Sequence, residues 1–193
     1  MKRSFIVLLL IFSVKVFAQK MPDMGLYKVR ISTSDKNITA EIKPVKSEPS
    51  LQSDRFYNWY CSNQIKQTQG AYSGALLNGQ YNEFYPNKNL KEQGVFNKGL
   101  KNGIWKSWTE DGVLVQRITW NNGIKQGEYD WYDEKGNLKQ KGTYHHDLLN
   151  GKQYNYDGKG KVEVSTYKDG NLVPKETKKA SFWSKLNPFK KKH

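Results

Sequence analysis

A 24-residue internal repeat constrains the fold of this 193-residue chain more than any other feature. Glycine, an aliphatic residue and three aromatic positions all recur in one register. The glycines are Gly79, Gly103, Gly127 and Gly151, and the aliphatic residues are Leu90, Leu114, Leu138 and Val162. The aromatic positions hold Tyr57, Tyr81, Trp105 and Tyr129; Tyr60, Phe84, Trp108, Tyr132 and Tyr156; and Tyr72, Phe96, Trp120 and Tyr144. A fixed period is the signature of stacked supersecondary units. We therefore predict five units, which start near residues 55, 79, 103, 127 and 151.

Each unit is predicted to be a β-hairpin. Turn-forming residues occur about every twelve residues, at 86–89, 110–112, 134–136 and 158–160 and at the repeat glycines, which leaves no room for a helix. Asn-Gly pairs such as Asn78-Gly79 supply the positive φ angles that tight hairpin turns require. We therefore expect Gly79, Gly103, Gly127 and Gly151 to be structural turn residues. The predicted fold is all-β, an elongated and curled antiparallel meander.

Composition supports a core of rings. Hydrophobic residues make up 36% of the chain and aromatic residues 13%. A large α/β enzyme with an aliphatic core does not fit these fractions. Rows of aromatic side chains suit a stacked sheet, because one ring covers a large area and offset stacking adds about 0.5–1.5 kcal/mol per pair.

The repeat pattern resembles the bacterial MORN-type repeat. A Gly-x-Tyr/Trp-x-x-aromatic segment is followed by a turn that contains glycine, then by leucine, then by Gly-x-aromatic and Asn-Gly. Residues 57–172 carry this pattern, and their style is similar to the exported proteins called YwqK-family antitoxins. The resemblance implies an elongated antiparallel sheet with a role in binding. It implies no catalytic residues and no cofactor.

The N-terminus has the plan of a secretory signal peptide. Residues Lys2 and Arg3 precede the apolar run 5–14, and Val16-Phe17-Ala18 offers a cleavage site. The apolar run is shorter than the roughly 20 residues of a membrane-spanning helix. We expect residues 1–18 to be removed and the mature protein to be periplasmic or secreted. The single Cys61 cannot form an internal disulfide.

Residues 19–54 are predicted to form a further hairpin and a linker. The segments 26–31 and 38–42 alternate apolar and polar residues around a turn at 34–37, and residues 44–54 are polar. The repeat sheet then covers residues 55–173.

The basic tail, residues 174–193, leaves three hypotheses open. It carries seven Lys and one Glu, which is nearly half of the chain's net charge of +14. As a membrane contact, its rings would lie at the interface and its lysines on anionic headgroups. The residues of this candidate contact are Phe182, Trp183, Lys185, Leu186, Phe189, Lys190, Lys191 and Lys192. The tail could equally cap the end of the sheet or be a disordered solubilising segment.

Neither enzyme chemistry nor nucleic-acid binding is expected. No nucleophile elbow, phosphate loop or metal-binding helix motif is present. His145 and His146 are adjacent, so on a strand they would point to opposite faces and share no metal. The repeat region carries only sixteen basic against twelve acidic residues, which is weak for nucleic acid.

We therefore predict a non-catalytic exported scaffold that binds an unknown protein partner in the cell envelope. The alternatives are a peripheral protein on an anionic membrane and an antitoxin or immunity protein. The candidate binding face comprises the densest rings, which are Trp105, Trp108, Tyr129, Trp131 and Tyr132. The competing interpretation is that these rings only stack as packing residues.

Overall fold

The computed structural model describes residues 27–174, and this part of the chain is all-β and contains no helix. The predicted signal peptide and all but Pro174 of the tail lie outside the described residues. The first strands are β1 Lys28–Ser32, β2 Asn37–Glu41, β3 Phe56–Cys61, β4 Gln64–Gln69, β5 Ala75–Leu76, β6 Gly79–Phe84, β7 Leu90–Asn97 and β8 Leu100–Trp108. The others are β9 Leu114–Asn121, β10 Ile124–Tyr132, β11 Leu138–His145, β12 Leu148–Leu149, β13 Gly151–Tyr156, β14 Val162–Lys168 and β15 Asn171–Val173.

The main sheet is a long antiparallel meander that does not close. Its order is β1-β2-β6-β7-β8-β9-β10-β11-β13-β14-β15, and β12 pairs with β11. The all-β hairpin-repeat fold predicted from the 24-residue period is confirmed. The N-terminal hairpin is also present, with Lys28–Ser32 paired to Asn37–Glu41.

Two kinds of turn alternate along the sheet. The predicted turns that follow the aromatic strands are present, closed by hydrogen bonds such as Thr109 N to Val113 O, 2.8 Å. The turns at the other edge of each hairpin are tight and have two residues with positive φ. These are Lys98-Gly99, Asn122-Gly123, His146-Asp147 and Asp169-Gly170.

The repeat glycines do not form the tight turns, so their predicted location is wrong. Their φ angles are positive, 126° at Gly79 and 73° at Gly103, but they lie within or at the start of strands. Pairing is interrupted there: Gln93 pairs with Lys106, whereas Val95 pairs with Asn102. Gly103 and Gly127 therefore sit at bulges, where inserted residues bend the strand, whereas Gly79 and Gly151 are the first residues of β6 and β13.

Unit 1 leaves the meander and forms a separate sheet, which the sequence did not predict. Strands β3, β4 and β5 make a three-stranded sheet of order β4-β3-β5, here called the cap sheet. Its place beside β6 is taken by β2, with Ala40 opposite Tyr81 and Asn37 opposite Phe84. The apolar residues of β2 continue the packed face of β6, and the cap sheet can then cover that face.

The core lies between the main sheet and the cap sheet. One cluster contains Ile31, Ile38, Ala40, Leu77, Tyr81, Phe96 and Trp105, with Tyr60 and Ile65 of the cap sheet packed against it. A second contains Tyr57, Trp59, Leu76 and Leu100. The rings meet edge to face, with 4.9 Å between the centroids of Phe96 and Trp105. Aromatic rows therefore supply most of the packing, as the composition indicates.

Candidate binding surface

The two faces of the main sheet differ in chemistry. Alternation along the strands places Tyr81, Trp105, Ile118 and Tyr129 in one row, and this side is here called the aromatic face. The opposite face carries Lys106, Arg117, Asp130 and Lys141 in neighbouring positions. A binding surface must therefore be sought on each face separately.

The structure divides the five candidate rings between the two faces. Trp105 and Tyr129 lie on the aromatic face and are 3% and 1% exposed, so they are packing residues. Trp131 lies on the same face but is 40% exposed. Trp108 is half-buried on the opposite side of its strand, and half-buried Tyr132 lies at a shift of the pairing register, where it lines cavities on both faces. Of the five, Trp131 is therefore the ring most available to a partner.

Trp131 contacts the packing row through Tyr129, with 5.4 Å between the ring centroids, but its repeat position does not belong to that row. The same position in units 1 to 5 holds Trp59, Glu83, Ser107, Trp131 and Asn155, so the repeat does not require a ring there. Trp59 is 6% exposed in the cap sheet, and its indole N–H donates to Thr68 Oγ1 at 2.9 Å. The Trp131 indole has no hydrogen-bond partner among residues 27–174. Burial in the core explains the presence of tryptophan at position 59 but not at position 131.

The cap sheet covers only part of the aromatic face and does not extend over Trp131. The cap sheet covers the part built from β6 to β8, where Phe96 and Trp105 are buried. Beyond it, a groove of about 580 Å³ opens over β9 to β13. It is lined by Val115, Gln116, Trp131, Tyr132, Lys139, Gln140, Asn155 and Tyr156. We call it the Trp131 groove.

Hydrogen bonds connect two amides that line the Trp131 groove, Gln140 and Asn155, with Tyr129 and Gln153, which lie outside its lining. The Tyr129 hydroxyl lies 3.1 Å from Gln153 Oε1 and 3.3 Å from Gln140 Oε1, and these two oxygens share its single proton. Burial raises the pKa of Tyr129 to about 12, so this hydroxyl stays protonated at neutral pH. Gln140 Nε2 donates to Asn155 Oδ1 at 2.7 Å. The amides are therefore held in place before any ligand arrives.

A second cavity, of about 450 Å³, lies on the opposite face around an ion pair. Arg117 Nη2 is 2.5 Å from Asp130 Oδ2, and Glu128 is 3.5 Å from the same guanidinium. The hydrogen bond to Asp130 raises the pKa of Arg117. Since Arg117 is already paired, the cavity does not offer a free arginine to an anion.

Lysine side chains lie over aromatic rings on the aromatic face, close to the tight turns. Lys101 Nζ lies 3.9 Å from the centroid of Trp105 and 2.7 Å from Glu92 Oε1. Lys125 Nζ lies 5.1 Å from the ring of Tyr144. These cation–π contacts use both the lysines and the rings in packing, so neither is a free platform for nucleic-acid bases.

The histidine pair departs from the expected geometry. His146 lies in a tight turn with φ of 50°, so the two rings do not diverge as they would on a strand. Their Nδ1 atoms are 3.3 Å apart. In residues 27–174 no three His, Cys, Asp or Glu side chains are placed to hold a metal ion.

The central hairpins can now be compared with known proteins. Residues 77–98, 101–122 and 125–146 each match the family model described as the MORN repeat variant. Three successive units are thus similar to the MORN repeat variant over about a third of the chain. The matched segments run from the residues before each repeat glycine to the next tight turn, and units 1 and 5 lie outside them. A comparison with curated proteins finds no match.

The repeat type that these units resemble has a known general class of function. MORN repeats commonly mediate binding to proteins or membranes, and proteins built from them are generally non-catalytic scaffolds. Within residues 27–174 no helix is long and apolar enough to cross a membrane. Among the residues that line the Trp131 groove, the candidate binding face named Trp131 and Tyr132 and did not include the amides Gln116, Gln140 and Asn155. An aligned-repeat signal exists for Asn155, whose position holds Trp59 and Trp131 in other units, but not for Gln116 and Gln140, whose position holds Thr68 and Glu92.

Proposed function

We propose that this protein is a non-catalytic scaffold that binds a protein partner through the Trp131 groove. The observation that carries the proposal is the contrast between Trp59 and Trp131. They occupy the same repeat position, yet one is buried and hydrogen-bonded, while the other is 40% exposed and its indole N–H has no partner among residues 27–174. An exposed tryptophan beside an apolar groove is a typical anchor for a protein partner.

The location of this activity is part of the proposal. The charged start, the apolar run 5–14 and the cleavage site after Ala18 support export to the periplasm or beyond. The partner would then be an envelope or secreted protein. Cell fractionation and N-terminal sequencing test this point: a mature chain that begins at Gln19 is expected, and a cytoplasmic chain that begins at Met1 would contradict it.

Site-specific photo-cross-linking in cells tests the binding surface. A benzophenone amino acid at Gln116 lies on the Trp131 groove, and one at Ile104 is the control, because Ile104 is 50% exposed on the other face. We expect one discrete adduct from position 116 that Trp131→Glu abolishes, and none from position 104. Equal adducts from both positions, or an adduct indifferent to Trp131→Glu, would contradict the proposed surface.

A peripheral membrane role is a second candidate, supported by the sequence of the tail. Four apolar residues, Phe182, Trp183, Leu186 and Phe189, alternate there with lysines. Sedimentation with anionic vesicles compares the mature chain with a variant that lacks residues 178–193. Loss of vesicle binding on deletion would support membrane attachment through the tail. Equal binding by the two chains would contradict it.

A further inference from the structure

The hydrogen-bonding balance of the Trp131 groove points to the class of its ligand. Its acceptor atoms are largely used within the protein. Asn155 Oδ1 accepts from Gln140 Nε2 at 2.7 Å and from Gln153 Nε2 at 3.2 Å. Gln140 Oε1 lies 3.3 Å from the Tyr129 hydroxyl, whose single proton is shared with Gln153 Oε1 at 3.1 Å, and Gln116 Oε1 lies 3.5 Å from Ser107 Oγ. Each side-chain carbonyl oxygen of the groove therefore already lies within hydrogen-bond distance of a donor of the protein.

Several hydrogen-bond donors of the groove, in contrast, have no partner among residues 27–174. Trp131 Nε1–H and the Asn155 side-chain amide N–H groups donate to no residue within 27–174. The Gln116 amide nitrogen is unpaired in the same sense, and all three residues line the groove. A complementary ligand must therefore bring acceptors and need few acceptors in return.

The charge of the residues that line the groove restricts the class of ligand further. Lys139 is the single charged residue that lines the groove, and its side chain is exposed at the rim. An acidic or basic ligand would find no buried counter-ion there. The rings of Trp131, Tyr132 and Tyr156 supply flat apolar surface instead.

An extended, proline-rich peptide meets these conditions. Proline has no backbone N–H but keeps its carbonyl acceptor, and its ring packs flat against aromatic side chains. A polyproline II helix has no internal hydrogen bonds, so its carbonyls are free to accept, and it is ordered before binding. We infer that the Trp131 groove binds a proline-rich, uncharged segment of the partner. This inference rests on the proposed function and specifies its partner.

A sugar chain fits less well. Each sugar hydroxyl presents a donor as well as an acceptor, and the donors would meet oxygens that Gln140, Gln153 and Tyr129 already occupy. The hydrogen-bonding balance therefore favours the peptide, and a glycan serves as a contradicting outcome of the test.

Fluorescence anisotropy with a labelled decaproline peptide tests the inference on the purified mature chain. The comparison peptide is a labelled Gly-Ser decamer, and chitotriose is titrated separately by calorimetry. The test variants are Trp131→Ala, which removes the platform, and Asn155→Asp, which replaces the amide donors by oxygens. The matched controls are Ile104→Ala and Asn82→Asp, both on strands of the same sheet but outside the groove.

We expect saturable binding of decaproline, with affinity at least about tenfold weaker in Trp131→Ala and in Asn155→Asp and unchanged in both controls. Thermal melts show which variants remain folded. No saturable decaproline binding, equal binding of the Gly-Ser peptide, or chitotriose binding that depends on Trp131 would each overturn the peptide class. If the cross-link at Gln116 persists in that case, the proposed protein-binding function stands and only the inferred partner class falls.

Discussion

The indole of Trp105 lies directly on Gly94 of the neighbouring strand, and the two residues form the centre of the covered core. A Cβ atom at position 94 would stand 2.2 Å from Cδ2 of Trp105, which no side chain tolerates. Gly142 holds the same repeat position two units later, but there the ring comes from the preceding strand, and a Cβ would lie 2.9 Å from Cε1 of Tyr129. A ring covering a strand glycine is a known way to stabilise a sheet at such a position.

Gly94→Ala is expected to destabilise the protein by about 1–3 kcal/mol, because the added methyl group displaces a buried indole. Chemical denaturation measures the free energy of unfolding. The control is the double-mutant cycle with Trp105→Leu, in which most of the penalty should vanish because the clashing ring is gone. A penalty that persists without the indole would show that the Gly94–Trp105 contact is not its cause.

Leu100 and Leu148 occupy the same repeat position and should respond differently to truncation. Leu100 is 8% exposed and packs with Tyr57, Trp59 and Leu76, whereas Leu148 is 47% exposed. Leu100→Ala should cost about 2–5 kcal/mol and Leu148→Ala about 0.5 kcal/mol or less. Equal changes in the midpoint of urea unfolding would mean that unit 1 does not cover Leu100 in solution.

Alanine substitutions at Gly99 and Gly112 distinguish the cost of backbone strain from the cost of a clash with the cap sheet. Their φ angles are 82° and 84°, so alanine is strained equally at both positions. A Cβ at Gly99 would lie 2.6 Å from Leu76 Cδ2, whereas one at Gly112 would meet no atom within 4 Å. We expect Gly112→Ala to cost about 1–2 kcal/mol and Gly99→Ala clearly more. Equal losses in thermal stability would remove the evidence for this contact.

Glu83 should make stability depend on pH in the acid range. Burial alone would raise the pKa of Glu83, but hydrogen bonds from Lys91 and Tyr81 outweigh it and hold the pKa below its ordinary value of 4.5. The Lys91 Nζ to Glu83 Oε1 distance is 2.9 Å, and the Tyr81 hydroxyl donates to Oε2 at 2.7 Å. Because the folded-state pKa is lowered, this stabilisation is complete above pH 4.5 and is lost as pH falls through the folded-state pKa.

Glu83→Gln is therefore expected to lower stability at pH 7 and to flatten the pH profile between about pH 5 and pH 3. Urea unfolding at a series of pH values measures both effects. Glu110→Gln is the control, since Glu110 is exposed in a turn and makes no ion pair among residues 27–174. An unchanged acid profile in Glu83→Gln would contradict the assignment.

Sequence alone predicted the hairpin repeat, because the period and the turn residues are local signals. The turns at 109–113 and 133–137 appear where they were expected. The repeat glycines were misplaced for a physical reason: Asn-Gly favours positive φ both in a turn and in a bulge, and only pairing with the neighbouring strand decides between them.

The displacement of unit 1 could not be predicted in the same way. Residues 57–60 match residues 129–132 in sequence, yet Trp59 is buried in the cap sheet and Trp131 is exposed. The difference arises because β2, and not a strand of unit 1, pairs with the edge of β6, with Ala40 opposite Tyr81. Such non-local competition leaves no mark in a single repeat. For the same reason the groove amides were missed, since their hydrogen bonds join different units.

Hydroxyl-radical footprinting read by mass spectrometry tests the central claim most directly, because it compares the covered and open halves of the aromatic face in one sample. Trp59 and Trp105 are 6% and 3% exposed, and Trp131 is 40% exposed. We expect Trp131 to be oxidised much faster than either of the other two. Equal oxidation of Trp105 and Trp131 would show that the cap sheet does not cover the face, and would contradict the account.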